Sequence, residues 1–212
     1  MTGAEIPKQI KIVYFDLGGR AEPLRLALSI AGVPFEDYRF QYSDFKAEAA
    51  KAPLGSFPYV EIDGETYCQS MALLRYFGRL TGLYPADPLA ALRVDQILET
   101  YLDFFLCISN TMALQGEVRL AARKVVVAEK APKFLGGLEK LITSGPFSTG
   151  KDISIADLAM YTHLRVLKHG IVDDIPTDLL KDFPKVAALY DAVDAHEAVK
   201  KWNSEHKKPG EK

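Results

Sequence analysis

The sequence predicts an α/β domain followed by an all-α domain, and three observations carry this prediction. Short runs of β-branched and aromatic residues alternate with helical patterns in the amino-terminal part of the chain. A proline-bearing segment follows, and the remaining residues show only helical periodicity. We therefore expect domains at 1–83 and 89–212, connected by a linker at 84–88.

The amino-terminal domain is predicted to have the order βαβ followed by ββα, which is that of a thioredoxin-like domain. Helices are expected at 21–31 and 70–81, each followed by a glycine, the residue preferred just past a helix end. Asp63-Gly64 is a strong hairpin signal, and 41–56 is expected to be irregular and partly helical. The expected strands are 11–15, 35–40, 58–62 and 65–68.

The carboxy-terminal domain is predicted to consist of helices alone. Apolar residues recur at helical spacing from Leu92 onward, and a second long helix is expected at 117–142, with a break or kink at Pro132. Further helices are expected at 154–169, 184–194 and 196–202, before a frayed end at 207–212.

Composition and charge exclude several classes of partner. The chain has 212 residues, a formal net charge of −2 and a sequence pI of about 6.1, so it lacks the basic footprint of a nucleic-acid binder. Its apolar runs fall short of the ~18 residues of a membrane span, and its first residues contain no signal-peptide core. Cys68 and Cys107 form neither a CxxC pair nor a metal-ligand spacing. We expect a cytoplasmic protein without a membrane, nucleic-acid or metal partner.

Four segments carry a family resemblance that covers about residues 9–203. They are Tyr14-Phe15-Asp16 through Gly19-Arg20-Ala21-Glu22, Gly55-Ser56-Phe57-Pro58, Gln69 through Tyr76, and Ser154-Ile155-Ala156-Asp157. Together they resemble the cytosolic glutathione S-transferases that use a tyrosine, with the sigma class nearest and alpha, mu and pi features present. The resemblance implies a homodimeric enzyme that conjugates glutathione to hydrophobic electrophiles, with organic peroxides as a further substrate class.

Tyr14 lies at the end of the first predicted strand, where ligands bind in open α/β sheets. The resemblance implies that its hydroxyl stabilises the glutathione thiolate. Lowering a thiol pKa from ~8.5 by about two units needs roughly 2.7 kcal/mol, and one charge-assisted hydrogen bond supplies about 1.5–3 kcal/mol. From the residues alone, a tyrosine packed in the core is an open alternative. Arg20 is implied to favour the thiolate by its charge; the alternative is a salt bridge with Asp16 or Glu22.

The resemblance also implies how the rest of glutathione is held. Pro58 is expected to follow a cis peptide bond, with Phe57 pairing like a strand with the cysteinyl part; a trans edge proline is the alternative. Ser70 is expected to be an N-cap. The helix N-terminus, together with Ser70 and Gln69, is implied to hold the γ-glutamyl carboxylate.

The sequence departs from the family at the glycyl end of glutathione. Where the family commonly has a tryptophan and, four residues on, a lysine, this chain has Phe45 and Ala49. Lys46 and Lys51 are candidate substitutes, and Ser56 stands where a glutamine or lysine is more usual. With Phe45, Lys46 and Ser56 kept as binding candidates, we expect weaker binding or a shifted position of this end.

In the helical domain, Asp103 is implied to reach the γ-glutamyl amine bound by the partner subunit; a solvated or intrahelical acid is the alternative. Ser154 and Asp157 form a capping-box-like pair and are expected to be structural. The pocket for the hydrophobic co-substrate is expected between the domains, with the candidates Phe15, Leu17, Phe105, Asn110, Met112 and Ala113.

Two other functions on the same fold stay open. A glutathione-dependent isomerase of the prostaglandin D synthase type would share the glutathione site and differ only in the apolar pocket. A non-catalytic ligandin or crystallin would keep the fold without the chemistry. A thiol oxidoreductase is disfavoured, because position 14 is a tyrosine and no cysteine lies within residues 1–67.

Overall fold

A computed structural model describes residues 5–206 of the chain, so the predicted frayed end at 207–212 lies outside the described residues. The described residues form two compact units. One consists of 5–86 together with 196–206, and the other of 87–195. Within 5–206, no helix combines the length and the apolar character that a membrane span requires.

The first unit is built on a four-stranded mixed sheet. Its strands are β1 (Ile10–Phe15), β2 (Glu36–Phe40), β3 (Tyr59–Ile62) and β4 (Glu65–Cys68). Their order is β2-β1-β3-β4; β1 and β2 are parallel, and the other two pairs are antiparallel. The β3–β4 hairpin turns at Asp63 and Gly64, whose φ angles are 49° and 91°, as the Asp-Gly signal predicts.

Three helices of this unit are interspersed with the strands: α1 lies between β1 and β2, α2 between β2 and β3, and α3 after β4. Helix α1 (Glu22–Ile30) begins after a 3-10 turn at Gly19–Ala21, and α2 (Phe45–Ala49) begins after another at Tyr42–Asp44. Helix α3 (Ser70–Thr81) ends at Gly82, and it packs against α1. The buried apolar residues of the two helices are a main part of the hydrophobic core; they are Leu24, Leu26, Ala27 and Leu28 on α1 and Leu73, Leu74 and Phe77 on α3. A second cluster contains Val13, Phe40, Ala52 and Tyr59.

The second unit contains helices only, apart from its connecting segments. They are α4 (Pro88–Ser109), α5 (Gly116–Val125), α6 (Ala131–Leu141), α7 (Ile155–Lys168) and α8 (Pro184–Ala195). Helix α7 is the centre of the unit, because most of its residues are buried and it packs on both α4 and α8. Helix α4 also packs on α6, and its N-cap Asp87 accepts a hydrogen bond of 2.8 Å from the Ala90 amide.

The last helix, α9 (Glu197–Glu205), groups with the first unit, whereas the sequence prediction placed it in the helical domain 89–212. It packs on α1, and Val199 and Trp202 are its buried residues. The Trp202 ring lies beside Phe35, with 5.8 Å between the ring centroids. Helix α9 is thereby attached to the sheet-containing unit.

The structure confirms the predicted fold class and corrects details of its helices. Each strand lies within one residue of its predicted ends. The predicted helix 117–142 is instead α5 and α6, with a π-helical segment at Val126–Lys130 between them. Pro132 is the second residue of α6, and it offers no N–H to the carbonyl four residues earlier, which lies within the π-helical segment. The irregularity therefore lies where the sequence predicted that Pro132 would disturb the helix.

Candidate active site

The register of the sheet brings three parts of the predicted site to one edge. Val13 pairs with Tyr59, and Tyr59 pairs with Cys68. The end of β1, the start of β3 and the end of β4 therefore meet. Tyr14, Pro58 and Gln69 each lie one residue beyond this row, so the sheet brings their backbones to the same edge.

Tyr14 is buried against the loop that follows it, with 8% of its surface exposed. Its hydroxyl oxygen accepts a hydrogen bond from the backbone amide of Arg20, at 3.3 Å. Gly19 lies so close that a Cβ atom added to it would be 2.6 Å from the same oxygen, and its φ is +49°. Only glycine fits this position without displacing the phenol.

Burial raises the pKa of Tyr14 above its ordinary value, and this effect outweighs the Arg20 amide and the charges of Arg20 and Arg25, all of which lower it. The phenol is therefore protonated at neutral pH. Since the hydroxyl oxygen accepts from the Arg20 amide, its proton can be donated to a ligand atom. This is the protonation state that stabilisation of a thiolate requires.

The acids that the sequence offered to Arg20 are paired with other arginines. Asp16 contacts Arg39, at 3.5 Å, and Glu22 contacts Arg25, at 3.2 Å. The Arg20 side chain is exposed on the 3-10 turn, and its charge acts on the Tyr14 hydroxyl. The two acids named in the salt-bridge alternative are thus both engaged by arginines other than Arg20.

Arg25 is a residue that the sequence analysis missed. It is completely buried on α1, and its Nε donates to Asp37 at 2.8 Å. Its Nη1 donates to the carbonyl of Leu17 at 2.8 Å, inside the loop that follows Tyr14. An arginine among the leucines of an apolar helix was the available signal, because a buried arginine needs several partners.

The Phe57–Pro58 peptide bond is cis, as the resemblance implied. Pro58 is buried and Phe57 is half-buried, with its ring 5.5 Å from that of Phe15 and 4.7 Å from that of Phe40. These aromatic contacts fix the segment just before β3. The backbone of Phe57 is thereby held at the edge of the sheet where Tyr14 lies.

Gln69 connects β4 to α3 in an unusual conformation. Its φ is 73° and its ψ is 96°, and it is the N-cap of α3. The expectation that Ser70 is the N-cap is wrong, because Ser70 is already the first helical residue. The side chain of Gln69 makes no cap hydrogen bond, so the first amides of α3 are not capped by it. A positive φ in a non-glycine residue is a cost that often accompanies a binding role.

Of the residues predicted near the glycyl end, Phe45 is part of an aromatic cluster and the others are polar. Phe45 is 37% exposed and stacks parallel to Phe15, with 6.2 Å between the ring centroids. Lys51 donates to Glu48 at 2.8 Å, so this candidate cation is already paired. Lys46 and Ser56 are exposed. The structure thus supports no single replacement for the missing family lysine.

The candidates in the second unit lie at the end of α4 and just beyond it. Asp103 is exposed on α4. Phe105 is half-buried, and its ring stacks on His163 with 3.8 Å between centroids, so it packs within the helical unit. Three further candidates follow in an exposed turn: Asn110, Met112 and Ala113. Of the first-unit candidates, Leu17 is 43% exposed and Phe15 is half-buried.

Ser154 and Asp157 form a capping box at the start of α7. Asp157 is fully buried and accepts hydrogen bonds of 2.7 Å from the Ser154 amide, the Ser154 hydroxyl and the Ser148 amide. Burial raises the pKa of Asp157, and the three hydrogen bonds oppose that change. These contacts lie among core helices, which is a structural arrangement. Among residues 5–206, no cluster of His, Cys, Asp or Glu could hold a metal ion.

Comparison with known proteins places the chain in a family. The family descriptions "Glutathione S-transferase, N-terminal domain" and "Glutathione S-transferase, C-terminal domain" match residues 10–79 and 100–206. Glutathione S-transferase 1 of Ascaris suum is 31% identical over 206 residues, which are 94% of this chain and 98% of that protein. Hematopoietic prostaglandin D synthase of Gallus gallus is 30% identical over 192 residues, which are 91% of this chain and 94% of that protein.

A solved structure of a glutathione S-transferase is also similar to this chain. The glutathione S-transferase of Ascaris lumbricoides has a TM-score of 0.84 and 30% sequence identity, over 95% of this chain and 99% of that one. The chain therefore belongs to the glutathione S-transferase family. It is a transferase with glutathione as its co-substrate.

Proposed function

We propose that Tyr14 donates the hydrogen bond that stabilises the glutathione thiolate, and that the enzyme conjugates this thiolate to hydrophobic electrophiles. The observation that carries the proposal is the buried, protonated Tyr14 hydroxyl at the sheet edge, whose oxygen accepts from the Arg20 amide. The amide fixes the oxygen, and the proton is left for the sulfur. The positive charge of Arg20 adds to the stabilisation of an anion at this place.

The remaining parts of the tripeptide are assigned to the same edge of the sheet. The backbone of Phe57, held by its ring contacts, supports strand-like pairing with the cysteinyl part. Gln69 and the first amides of α3 support binding of the γ-glutamyl carboxylate, because a helix N-terminus carries a partial positive charge. Phe45, Lys46 and Ser56 are the candidates at the glycyl end.

The reaction that follows is nucleophilic attack by sulfur. The thiolate forms a C–S bond to an electrophilic carbon. In a substitution the leaving group departs with its bonding electron pair, and in an addition the neighbouring carbon takes a proton from water. The protein contributes activation of the nucleophile and its fixed position. The residues of each unit that were predicted to contact the electrophile stay predictions.

An ultraviolet titration of the enzyme–glutathione complex tests the role of Tyr14. We expect thiolate absorbance at neutral pH in the wild type and its loss in Tyr14→Phe, with glutathione still bound. Tyr42→Phe is the matched control, because Tyr42 is 80% exposed and its hydroxyl is not part of the proposed site. Undiminished thiolate absorbance in Tyr14→Phe would contradict the proposal.

A second candidate activity is isomerisation of a prostaglandin-type endoperoxide. It is favoured by the similarity to the Gallus gallus hematopoietic prostaglandin D synthase, at 30% identity. This activity uses the same thiolate site, so the two candidates differ in the co-substrate. Turnover measured with an aryl halide, an unsaturated aldehyde, an organic peroxide and an endoperoxide separates them. Turnover of the endoperoxide alone would favour the isomerase.

We also propose a homodimer in which Asp103 contacts the γ-glutamyl amine bound by the partner subunit. The support is the exposed position of Asp103 on α4 together with the family relationship. Asp103→Asn should weaken glutathione binding without changing the mass of the dimer in sedimentation. Glu117→Gln, which changes another exposed acid, is the control and should leave the affinity unchanged. A monomer at micromolar concentration contradicts the proposal.

A cytoplasmic location is the last part of the proposal. It is supported by the free state of Cys68 and Cys107, since thiols persist in reducing compartments. Fractionation of the source cells, with antibodies against the chain, tests the location. Recovery in a secreted or organellar fraction contradicts it.

A further inference from the structure

A buried chain of contacts joins the last helix to the first. The indole Nε1 of Trp202 on α9 donates a hydrogen bond of 2.8 Å to Oε1 of Glu22, the first residue of α1. Glu22 is completely buried, and Trp202 is 7% exposed. A buried carboxylate is costly unless its oxygens are satisfied, so the indole N–H is an important part of its environment.

The other oxygen of Glu22 contacts Arg25. The Nη1 of Arg25 donates to Oε2 of Glu22 at 3.2 Å and also to the carbonyls of Leu17 and Gly18, at 2.8 and 3.4 Å. Its Nε donates to Asp37 on β2, at 2.8 Å. Arg25 is thus held between two acids, and it holds the loop that follows Tyr14.

That loop sets the surroundings of the Tyr14 hydroxyl. The Glu22 amide donates to the Gly18 carbonyl at 3.2 Å, Gly19 packs against the phenol, and the Arg20 amide donates to its oxygen at 3.3 Å. The guanidinium carbon of Arg25 is also 5.9 Å from the centroid of the Tyr14 ring. A displacement of Arg25 would therefore change both the loop geometry and the positive charge beside the phenol.

We propose that Trp202 is a positioning residue for thiol activation, acting through Glu22 and Arg25 on the loop that contacts the Tyr14 hydroxyl. The inference rests on the proposed function of Tyr14. When the indole donor is lost, Oε1 of Glu22 loses its 2.8 Å hydrogen bond, and the carboxylate turns further toward Arg25. The guanidinium then holds the Leu17 and Gly18 carbonyls less firmly. The Arg20 amide and the Tyr14 hydroxyl lose their alignment, and the bound thiol becomes less acidic.

Trp202→Phe tests this inference, because it removes the N–H and keeps an aromatic ring beside Phe35. The pKa of the enzyme-bound glutathione thiol is measured by ultraviolet titration, and glutathione affinity by calorimetry. We expect the thiol pKa to rise by about half a unit or more, which is a ~3-fold decrease in the thiolate-to-thiol ratio at any fixed pH. The affinity of the thiol form should change little.

Phe35→Leu is the matched control. It disturbs the packing around Trp202, whose ring is 5.8 Å away, but it leaves the indole–Glu22 hydrogen bond intact. A merely structural role for this region predicts that both variants lose stability and that neither changes the thiol pKa. An unchanged thiol pKa in folded Trp202→Phe overturns the inference.

A second variant covers the case in which Trp202→Phe does not fold. Arg25→Lys keeps the charge and removes the forked donation to Asp37 and the Leu17 carbonyl. The inference expects the same rise in the thiol pKa, and an unchanged value in this variant also overturns it. Failure of the proposed function is recognised separately, because Tyr14→Phe would then leave the thiol pKa of the otherwise wild-type enzyme unchanged.

Discussion

The Tyr14 hydroxyl and the Arg20 backbone amide are 3.3 Å apart, and Gly19, the residue before Arg20, lies directly against the phenol. The loop therefore approaches the phenol with its backbone alone. This close approach explains why the turn after β1 needs a glycine at the position adjoining Arg20. It also makes the geometry of the hydroxyl sensitive to any side chain at that position.

Gly19→Ala should therefore impair both chemistry and stability. The new Cβ would be 2.6 Å from the Tyr14 oxygen, and the φ of +49° is unfavourable for alanine by about 1–2 kcal/mol. We expect kcat/KM to fall by roughly 10-fold or more, a loss equal to ~1.4 kcal/mol of transition-state stabilisation. Steady-state kinetics with an aryl halide measures the loss.

Gly32→Ala is the control for Gly19→Ala. Gly32 also has a positive φ, +67°, but no atom lies within 4 Å of an added Cβ. It should lower stability by about 1 kcal/mol and leave kcat/KM unchanged. Equal kinetic effects in the two variants would show that the contact with Tyr14 is unimportant.

The pH dependence of activity should lack a loss caused by Tyr14 up to about pH 10. Burial raises the pKa of Tyr14 above the ordinary tyrosine value of about 10, so the hydroxyl stays a donor while the bound thiol ionises at lower pH. As pH rises, kcat/KM should increase through the thiol pKa and then stay level. Measurements from pH 5 to about 10, corrected for the uncatalysed reaction, check this expectation. A Tyr14-dependent decrease starting well below pH 10 contradicts the assigned protonation state.

Two substitutions of Gln69 separate the effect of its backbone strain on stability from the effect of its side chain on glutathione binding. Its φ of 73° is better suited to glycine than to alanine, so Gln69→Gly should be more stable than Gln69→Ala by about 1 kcal/mol. Both variants remove the side chain and should weaken glutathione binding to a similar extent. Urea unfolding and calorimetry measure the two effects. If Gln69→Gly binds as tightly as the wild type, the side chain has no role in recognition.

The sequence predicted the sheet well because its signals are local. Runs such as 11–15 and the Asp63-Gly64 turn specify strands and a hairpin without long-range information. The cis Phe57–Pro58 bond and the role of Tyr14 were predicted from the family resemblance, since the residues alone left a core tyrosine as an alternative. Local patterns therefore specified the scaffold better than the site.

The missed parts of the site depend on contacts between distant residues. In the sequence, Arg25 is one residue of a predicted helix, and its partners cannot be predicted from that pattern. Only the fold shows that Arg25 contacts both Asp37 and Glu22. Trp202 is 180 residues from Glu22 in the sequence, and no local pattern links them. Ser70 was expected to cap α3 because of its residue type, but the positive φ of Gln69 starts the helix one residue earlier. These differences have a common cause, which is tertiary structure overriding local preference.

Asp157 should matter for folding and not for catalysis. Asp157→Ala would leave the buried amides of Ser148 and Ser154 without their 2.7 Å acceptor, and hydrogen bonds to a charged group are worth about 1.5–3 kcal/mol. We expect the free energy of unfolding to fall by about that amount, measured in urea, with kcat/KM per folded molecule unchanged. Asp152→Ala changes a nearby exposed acid and should leave stability unchanged to within about 0.5 kcal/mol. If Asp157→Ala instead reduces kcat/KM in fully folded protein, the structural assignment of the capping box is wrong.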